Sequence, residues 1–173
     1  MKIDREWLIK KSACADGIDW FEAQKRTDSI EILQALIQEN KLDWANWLIV
    51  RIMNYFQYVK YAVYAAEQVI DIFEAQYPDD QRPRQAIEAA KKCIKNPSKK
   101  NRLAMSIARS MAFTASPAAY AAFAAAYAAF VGGDVAEAKD YAALAASAAA
   151  NAKAGLEKKI LTYGISLIKE KKK

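Results

Sequence analysis

Acidic side chains are the first candidates for chemistry in this sequence, because its 173 residues include no histidine. Histidine is the most frequent general base and metal ligand near neutral pH, so its absence narrows the choice to carboxylates. Glu67 and Asp71 are four residues apart, so on a helix their carboxylates would lie one turn apart and could share a metal ion. The simpler interpretation is a solvent-exposed helix face, or ion pairs with Arg82 or Arg84.

The other acidic candidates stand where helices are expected to begin. A side-chain oxygen at that position accepts hydrogen bonds from the first backbone N–H groups of the helix, and Asp28 with Glu31 has the spacing of a capping box. The same role is predicted for Asp4, Asp19, Asp43, Asp80 and Asp134. The sequence contains no glycine-rich phosphate loop, no Cys-x-x-Cys pair and no nucleophile elbow. We therefore expect a non-enzymatic protein with no metal and no cofactor.

Aromatic residues in the N-terminal half favour recognition of a partner over catalysis. Tryptophan, tyrosine and arginine anchor many protein interfaces, because they bury large areas at a small entropic cost. The candidate partner-binding residues at helical spacings are Trp44, Trp47, Arg51, Tyr55, Phe56 and Tyr58. Packing in the core is the simpler alternative for most of these side chains. Tyr55, Phe56 and Tyr58 cannot all face the core from one helix, so at least one of them should be exposed.

A second candidate surface is the charged turn before Pro83. Proline fits the first turn of a helix, where a missing N–H does no harm, so a new helix is expected to start here. The turn carries charges of both signs on Asp79, Asp80, Arg82 and Arg84. These residues either form an ion-paired structural corner or contribute to a binding face, and the corner is the simpler interpretation.

A scaffold must position these side chains, and its centre is the alanine-rich stretch from residue 112 to 154. Alanine has the highest helix propensity, and a helix that is apolar on all faces is normally buried. The large residues recur at seven-residue spacing, or multiples of it, in two series that share one helical stripe: Phe113, Tyr120, Tyr127 and Tyr141, and Ser116, Phe123, Phe130 and Leu144. The pattern predicts a central helical hairpin with other helices packed around it.

The predicted fold is a compact all-α bundle of about eight to ten helices around this hairpin. It forms one domain over residues 1–173, and residues 168–173 are a basic tail. A first helix is expected from Asp4 to about Ala15, followed by a turn at Asp16-Gly17. A longer helix is expected from about Phe56 to Tyr77.

Three positions mark expected boundaries near the alanine-rich stretch. Ser98 is expected to open the helix that leads into it, and Gly132-Gly133 to end the first half of the hairpin. Pro117 either kinks a helix or splits it into two, because a proline disfavours helical geometry at the preceding residue.

Positive charge is concentrated in two places, and the formal net charge is +6. One is the segment 91–102, and the other is the C-terminal tail with Lys169 and residues 171–173. Such segments are typical of nucleic-acid binding, but lysines also favour the negative end of a helix dipole. The second interpretation is preferred for Lys91, Lys92 and Lys95, because they end a helical pattern just before Asn96-Pro97.

The sequence predicts a cytoplasmic protein that does not enter the membrane. Residues 1–11 alternate in charge, unlike a signal peptide, and the longest apolar run, residues 117–131, covers about fifteen residues. A membrane-spanning helix needs about twenty residues of stronger hydrophobicity. Cys14 and Cys93 have no motif spacing and are expected to be reduced thiols.

Two consecutive stretches, residues 61–74 and 77–90, precede the alanine-and-aromatic tract. Together with that tract they resemble a family of immunity proteins from bacterial polymorphic-toxin systems, and similar chains are carried by phages and mobile elements. The likeness covers about residues 40 to 150, and its most specific part is residues 78–90. The resemblance implies a small helical inhibitor that binds a toxin or another effector protein and blocks it.

The leading hypothesis is therefore a non-enzymatic, protein-binding inhibitor, either an immunity protein or a phage-borne antagonist of a bacterial defence protein. A second hypothesis is a nucleic-acid-binding accessory protein that uses residues 91–102 and the C-terminal lysines, with an affinity that falls steeply as salt is added. A third is a structural protein that assembles with copies of itself through the alanine-rich hairpin, which predicts a stable oligomer.

Overall fold

Ten helices make up most of the residues that the structure, a computed structural model, describes: 1–96, 116–130 and 135–170. In chain order they are α1 (Arg5–Lys10), α2 (Ala15–Gln24), α3 (Ser29–Gln38), α4 (Leu42–Ile52), α5 (Tyr55–Glu67), α6 (Ile70–Gln76), α7 (Arg82–Lys95), α8 (Pro117–Phe130), α9 (Val135–Ala152) and α10 (Leu156–Lys169). These residues contain no β-strand, and one isolated antiparallel bridge joins Lys2 to Asp28. The predicted all-α fold is confirmed.

Side-chain caps fix where several helices begin. Asp4 Oδ1 accepts a hydrogen bond from the Trp7 N–H at 2.8 Å and caps α1. Asp28 Oδ1 accepts from two N–H groups in the first turn of α3, at 2.9 and 3.3 Å. At α5, Asn54 accepts from the Gln57 N–H at 3.1 Å, and the Gln57 side chain accepts from the Asn54 N–H at 3.0 Å. The caps predicted at Asp4 and Asp28 are confirmed.

The other predicted caps have mixed outcomes. Asp19 lies inside α2, and Asp43 lies one residue inside α4, so neither is an N-cap. The backbone N–H of Arg82 donates to Asp80 Oδ1 at 3.1 Å, which satisfies one donor at the start of α7. Asp134 lies outside the described residues.

The connection between α1 and α2 differs from the prediction. The first helix ends at Lys10 rather than near Ala15, and Asp16-Gly17 lies in the first turn of α2 rather than in a turn between helices. Asp16 places a negative charge near the positive end of the helix dipole. A Cβ added at Gly17 would lie 3.2 Å from Cys14 Sγ, so glycine suits a close contact here.

The helix expected from Phe56 to Tyr77 is two helices instead. The N–H groups of Gln68 and Val69 bond to carbonyl oxygens three residues back, each at 3.2 Å, which tightens the end of α5. Val69 then leaves helical geometry, with φ −133° and ψ −7°, and α6 begins at Ile70. Val69 is fully buried, so core packing holds the break at a residue that the sequence pattern does not mark.

The hairpin of α8 and α9 lies at the centre of the bundle, as predicted. Helix α8 packs against α5, α6, α7 and α9, and α9 also packs against α4, α5 and α10. All nine alanines of α8 are buried. Because alanine is small, several neighbouring helices can approach these two backbones at once. The alanines of α8 are therefore buried against helices of their own chain and not left exposed for contact with a second copy.

The predicted aromatic stripe runs along one side of this hairpin. Phe123 contacts Tyr120 and Tyr127, with ring centroids 5.8 and 5.5 Å apart. Tyr127 and Tyr141 join α8 to α9 with centroids 4.1 Å apart. Leu144 continues the stripe but is 41% exposed. The seven-residue spacing therefore indicates correctly which large side chains share a face.

Several boundary predictions concern residues that the structure does not describe. Phe113, Ser98 and Gly132-Gly133 lie outside the described residues. Pro117 is the first residue of α8. Whether it kinks or splits a longer helix depends on residues before Ser116, which also lie outside that part of the chain.

A buried polar network connects the hairpin to α4 and α5. The Tyr61 hydroxyl, fully buried, donates to Asn46 Oδ1 at 2.8 Å. Asn46 Nδ2 donates to the Ala143 carbonyl at 3.0 Å and to Ser147 Oγ at 3.1 Å. Burial raises the pKa of Tyr61 above its ordinary value. Three helices are therefore held in register by groups that would be costly to leave unpaired.

Buried side chains from Ile3 to Leu167 form one continuous core cluster. None of the helices in the described ranges is long and apolar enough to cross a lipid bilayer.

Candidate functional site

The predicted binding residues lie in separate regions rather than on one surface. Trp44 and Trp47 line a cavity among α1, α2, α3 and α4, which we call the N-terminal cavity. Asp80 and Arg82 line a groove formed by α6, α7, the start of α8 and the end of α9. The cavity and the groove have no lining residue in common. The cavity and the groove are therefore two separate candidate sites.

The tryptophans of α4 are covered by basic side chains. The Arg51 guanidinium lies 4.2 Å from the ring centroid of Trp47, and the Lys41 ammonium lies 4.7 Å from that of Trp44. Arg51 also donates to Asp140 Oδ1 at 2.9 Å and so reaches α9. Burial lowers the pKa of Arg51, and Asp140 opposes that effect. The Arg51 side chain, which is mostly buried, thus supports the tertiary structure through both contacts.

The start of α5 distributes its three aromatic side chains between core and surface. The Tyr55 hydroxyl donates to the Ala129 carbonyl at 2.9 Å and ties α5 to α8. Phe56 is 50% exposed, which confirms that at least one of the three faces solvent. Tyr58 is only 2% exposed, and burial raises its pKa to about 12. Tyr58 is therefore removed from the candidate binding residues, because its side chain packs in the core.

The charged turn is held by an ion pair between its own residues. Arg82 Nε and Nη2 donate to the two carboxylate oxygens of Asp80 at 2.8 and 2.6 Å. The hydrogen bonds from Arg82 lower the pKa of Asp80. Asp79 is exposed beside this pair. The geometry corresponds to the structural corner considered from the sequence, and it also fixes the position of an exposed guanidinium.

A second arginine clamps α6 to α7. Arg84 Nε and Nη2 donate to the two carboxylate oxygens of Glu74 at 2.7 and 2.6 Å, and Nη2 also reaches Asp71 at 3.1 Å. Hydrogen bonding to Glu74 raises the pKa of Arg84, and the same bonds lower the pKa of Glu74. Carboxylates therefore hold both arginines: Asp80 binds Arg82 within the turn, and Glu74 on α6 binds Arg84 on α7.

Glu67 and Asp71, the pair considered for metal binding, each contact a different cation. Glu67 forms an ion pair with Lys91, and Asp71 forms one with Arg84. The described residues contain no group of three or more cysteine, aspartate or glutamate side chains that could hold a metal ion. The two carboxylates thus act as ion-pair partners between helices.

An open groove lies beside the charged turn and has a volume of about 600 Å³. We call it the turn groove; it is lined by Ile72, Phe73, Gln76, Tyr77, Asp80, Arg82, Ser116, Pro117, Ala118, Asn151 and Ala152. Two of its apolar residues are unusually exposed, Ile72 at 37% and Tyr77 at 54%. Polar groups of Arg82 and Asn151 lie beside them. This mixture of apolar and polar side chains is typical of a protein-binding surface.

The candidate list from the sequence omits Ile72 and Tyr77. A signal for Ile72 was present, because Ile70 and Phe73 are three residues apart on the buried face of α6 and Ile72 is out of phase with them. Tyr77 has no such periodicity, since it follows the last residue of α6. Its exposure depends on where the turn places it.

The basic residues of α7 are only partly available to a partner. Lys91 forms ion pairs with Glu67 and Glu88, the second at 2.8 Å. Lys92 and Lys95 are exposed in the last turn of α7, where cations favour the negative end of the dipole. The other basic residues of this segment and the last three lysines lie outside the described residues: Lys99, Lys100, Arg102 and Lys171, Lys172, Lys173.

Comparison with known proteins gives a match over the part of the chain that contains these ion pairs. Residues 51–163 match a family model described as "Imm-5 like putative immunity protein". The match covers about two thirds of the sequence. The chain belongs to this family. No curated protein and no solved structure matches it. Membership of this immunity-protein family confirms the resemblance found in the sequence and is consistent with an inhibitor that has a protein toxin as its partner.

The family match separates the two candidate regions. Every lining residue of the turn groove lies between positions 72 and 152, inside the immunity-protein match. Every lining residue of the N-terminal cavity lies between positions 3 and 48, before the match begins. The groove is therefore the region that can serve a function shared with the family.

Proposed function

We propose that this member of the immunity-protein family is a non-enzymatic inhibitor that binds a toxin or related effector protein through the turn groove. The observation that carries the proposal is the exposure of Tyr77 and Ile72 beside an immobilised Arg82, within the part of the chain that matches the family. The inhibitor is proposed to act in the cytoplasm as a stoichiometric complex with its target.

The chemistry of the groove suits a protein partner. Tyrosine and arginine are among the residues that contribute most to binding free energy at protein interfaces. Tyr77 offers a large side chain that also contacts the ring of Phe73, with centroids 5.0 Å apart. Asn151 and Gln76 supply amide donors and acceptors along the same groove. A partner could thus bury an apolar centre and pair with polar groups at its edge.

Ion pairs hold in place an arginine and two of the helices that form the groove. The ion pair to Asp80 fixes Arg82, and the bonds from Arg84 to Glu74 fix the helices on either side. Side chains that are ordered before binding lose less conformational entropy when a partner arrives. The ion pairs of the turn therefore support binding through position, while the exposed face of Arg82 remains available for contact.

The remaining candidate residues are proposed as secondary contacts. Asp79 lies in the turn and Arg84 in the first turn of α7, close in sequence to the lining residues Asp80 and Arg82. Phe56 is exposed at the start of α5 and is a separate point for a partner to reach. Trp47 contacts Arg51, which also binds Asp140, and Trp44 contacts Trp20 and Lys41, so less of their surface is available.

Capture of the partner from a lysate of the natural host tests this proposal. The baits are the wild-type chain, the double variant Tyr77→Ala/Arg82→Ala, and the control Ile9→Ala, which changes a residue on α1 with an exposure of 50%, close to the 54% of Tyr77. Capture is done with and without nuclease near physiological salt and read by mass spectrometry. Circular dichroism confirms that each bait is folded.

The proposal expects one dominant protein that survives nuclease, is retained by Ile9→Ala and is lost with the double variant. The captured protein should arrest growth when it is expressed alone, and the wild-type chain should restore growth. If the captured protein is a host defence protein and not a toxin, this chain is an inhibitor that antagonises bacterial defence. Material that disappears with nuclease, or binding that falls steeply with salt, would instead favour the nucleic-acid hypothesis. A stable oligomer of the bait alone would favour self-assembly.

A further inference from the structure

The N-terminal cavity has a volume of about 330 Å³ and a wall of three tryptophans, Trp20, Trp44 and Trp47. We infer that it is a binding site for a compact aromatic molecule of one or two rings that is uncharged or positively charged. Protein interiors contain few voids larger than a water molecule. Leu33 and Ile49 directly follow the lining residues Ile32 and Leu48 in the sequence and are completely buried, so the void does not reflect loose packing throughout.

Two of the tryptophans are held in place by contacts outside the cavity. The Trp20 indole N–H donates to Glu39 Oε2 at 2.7 Å. Trp44 packs edge-on against Trp20, with centroids 6.3 Å apart and planes at 66°, and the Lys41 ammonium covers its ring. Neither Glu39 nor Lys41 lines the cavity. These partners therefore hold the two indoles at its wall and oppose a collapse into the space.

The third tryptophan is supported by a side chain one turn further along the same face of α4. Trp47 lies under the Arg51 guanidinium, which is itself bound to Asp140 on α9. Arg51 does not line the cavity. All three aromatic walls are thus positioned before any ligand arrives, as is usual for small-molecule sites.

The lining determines the class of ligand. Most lining residues are aliphatic or aromatic, and Asp43 is the one charged residue among those described there. A carboxylate attracts cations and repels anions, and Asp43 sets this preference, because Lys41 and Arg51 already lie over the rings of Trp44 and Trp47. Ser12, Cys14 and Asp43 are exposed, so the opening lies on their side. A ligand would place its rings against the indoles and any positive group near Asp43.

The volume determines the size. An apolar cavity of about 150 Å³ can hold benzene, so about 330 Å³ has room for a fused two-ring system such as indole. Because all lining residues precede the family match, this site goes beyond the proposed inhibitor function and does not depend on it.

Isothermal titration calorimetry with three probes of one ring system tests the inference: indole, tryptamine and indole-3-acetate. Indole should bind with a dissociation constant on the order of 0.1–1 mM, as expected for so small a ligand. Tryptamine should bind about two- to fivefold more tightly and indole-3-acetate weaker by a similar factor, because a solvent-exposed charge pair has an effect of this size.

Variants locate the binding. Ala13 lines the cavity, and Ala13→Phe should fill it and abolish binding of all three probes; Ala13→Leu should weaken binding with less risk to folding. Asp43→Asn should bring the three affinities together while indole still binds. Leu144→Ala, which changes an exposed apolar side chain outside the lining, should leave the affinity for all three probes unchanged. Thermal unfolding confirms that each variant is folded.

Three results would overturn the inference. One is the absence of binding by indole and tryptamine at millimolar concentration. Another is full affinity in a folded Ala13→Leu or Ala13→Phe variant. The third is a preference for indole-3-acetate. Loss of partner capture by the Ala13 variants, with no probe bound to the wild type, would assign the cavity to a side chain of the protein partner instead.

Discussion

At the scale of single residues, the tightest requirement lies at Gly164 on α10. A Cβ added there would lie 2.6 Å from Ile49 Cδ1 and 2.8 Å from Tyr61 Cε2. Tyr61 cannot move aside freely, because its hydroxyl is bonded to Asn46 in the buried network. The absence of a side chain at Gly164 therefore sets how closely α10 approaches α4 and α5.

Gly164→Ala is predicted to destabilise the fold. Overpacking of this kind costs about 1–3 kcal/mol, and the better helix propensity of alanine offsets about 1 kcal/mol of that loss. The overlap with both Ile49 and Tyr61 places the cost near the upper end of that range, so the net decrease in the free energy of unfolding should be about 1–2 kcal/mol, measured by urea titration. Ser166→Ala, at an exposed position on the same helix, is the control and should change stability by less than about 0.5 kcal/mol. A variant as stable as the wild type would show that the helices can separate at no cost.

At the scale of elements, the ion pair between Arg84 and Glu74 holds α6 against α7. The ordinary pKa of Glu74 is 4.5, and Arg84 holds it lower in the folded protein. A carboxyl group with a lowered folded pKa contributes stability above its ordinary pKa, and that contribution is lost as the pH falls through the folded value. Acidification should therefore weaken the connection between these two helices.

Arg84→Met is predicted to lower stability at pH 7 by about 0.5–1 kcal/mol, a modest value because the pair is partly exposed to solvent. The difference from the wild type should narrow as the pH falls below 4.5, the ordinary pKa of Glu74. Urea unfolding between pH 7 and pH 2 measures it, with Lys95→Met at the other end of α7 as the control. A difference that stays constant over this range would contradict the assignment of the ion pair.

Elements differ in how well the sequence predicts them. The alanine-rich hairpin is correctly expected, because composition and seven-residue spacing are local properties of the chain. The end of α5 is missed, since burial of Val69 in the tertiary structure decides it. Asp16-Gly17 predicts a turn but lies in α2, where the glycine allows a close contact with Cys14. Errors thus fall where packing overrides local preference.

The candidate site likewise has features that the sequence predicts and features that only the tertiary structure reveals. Residues 79–84 are singled out as a charged turn, because proline and charges of both signs are visible in the sequence, and the pair between Asp80 and Arg82 corresponds to the predicted corner. The partners of Arg84 are less visible: Glu74 is ten residues away, on another helix. The exposure of Tyr77 and the removal of Tyr58 from the surface both depend on the three-dimensional arrangement. Sequence reasoning therefore finds the segment but does not identify the groove.

At the scale of the whole molecule, the chain combines two parts with different relations to known proteins. Residues 51–163 match the immunity-protein family and contain the turn groove. The preceding helices contain the N-terminal cavity and pack on the hairpin through α4. The core is continuous through both parts. A partner at the groove and a small ligand in the cavity would thus occupy one molecule at different places.

The central claim is that the protein inhibits an effector by binding it and not by modifying it. The most direct test is a titration of a fixed amount of the captured effector with this protein, followed by measurement of the effector's own activity. Binding predicts a linear fall that reaches zero at a fixed molar ratio and does not change with incubation time. The Tyr77→Ala/Arg82→Ala variant should leave the effector active at that ratio. Complete loss of activity at a small fraction of that ratio, increasing with time, would mean catalysis and would contradict the account.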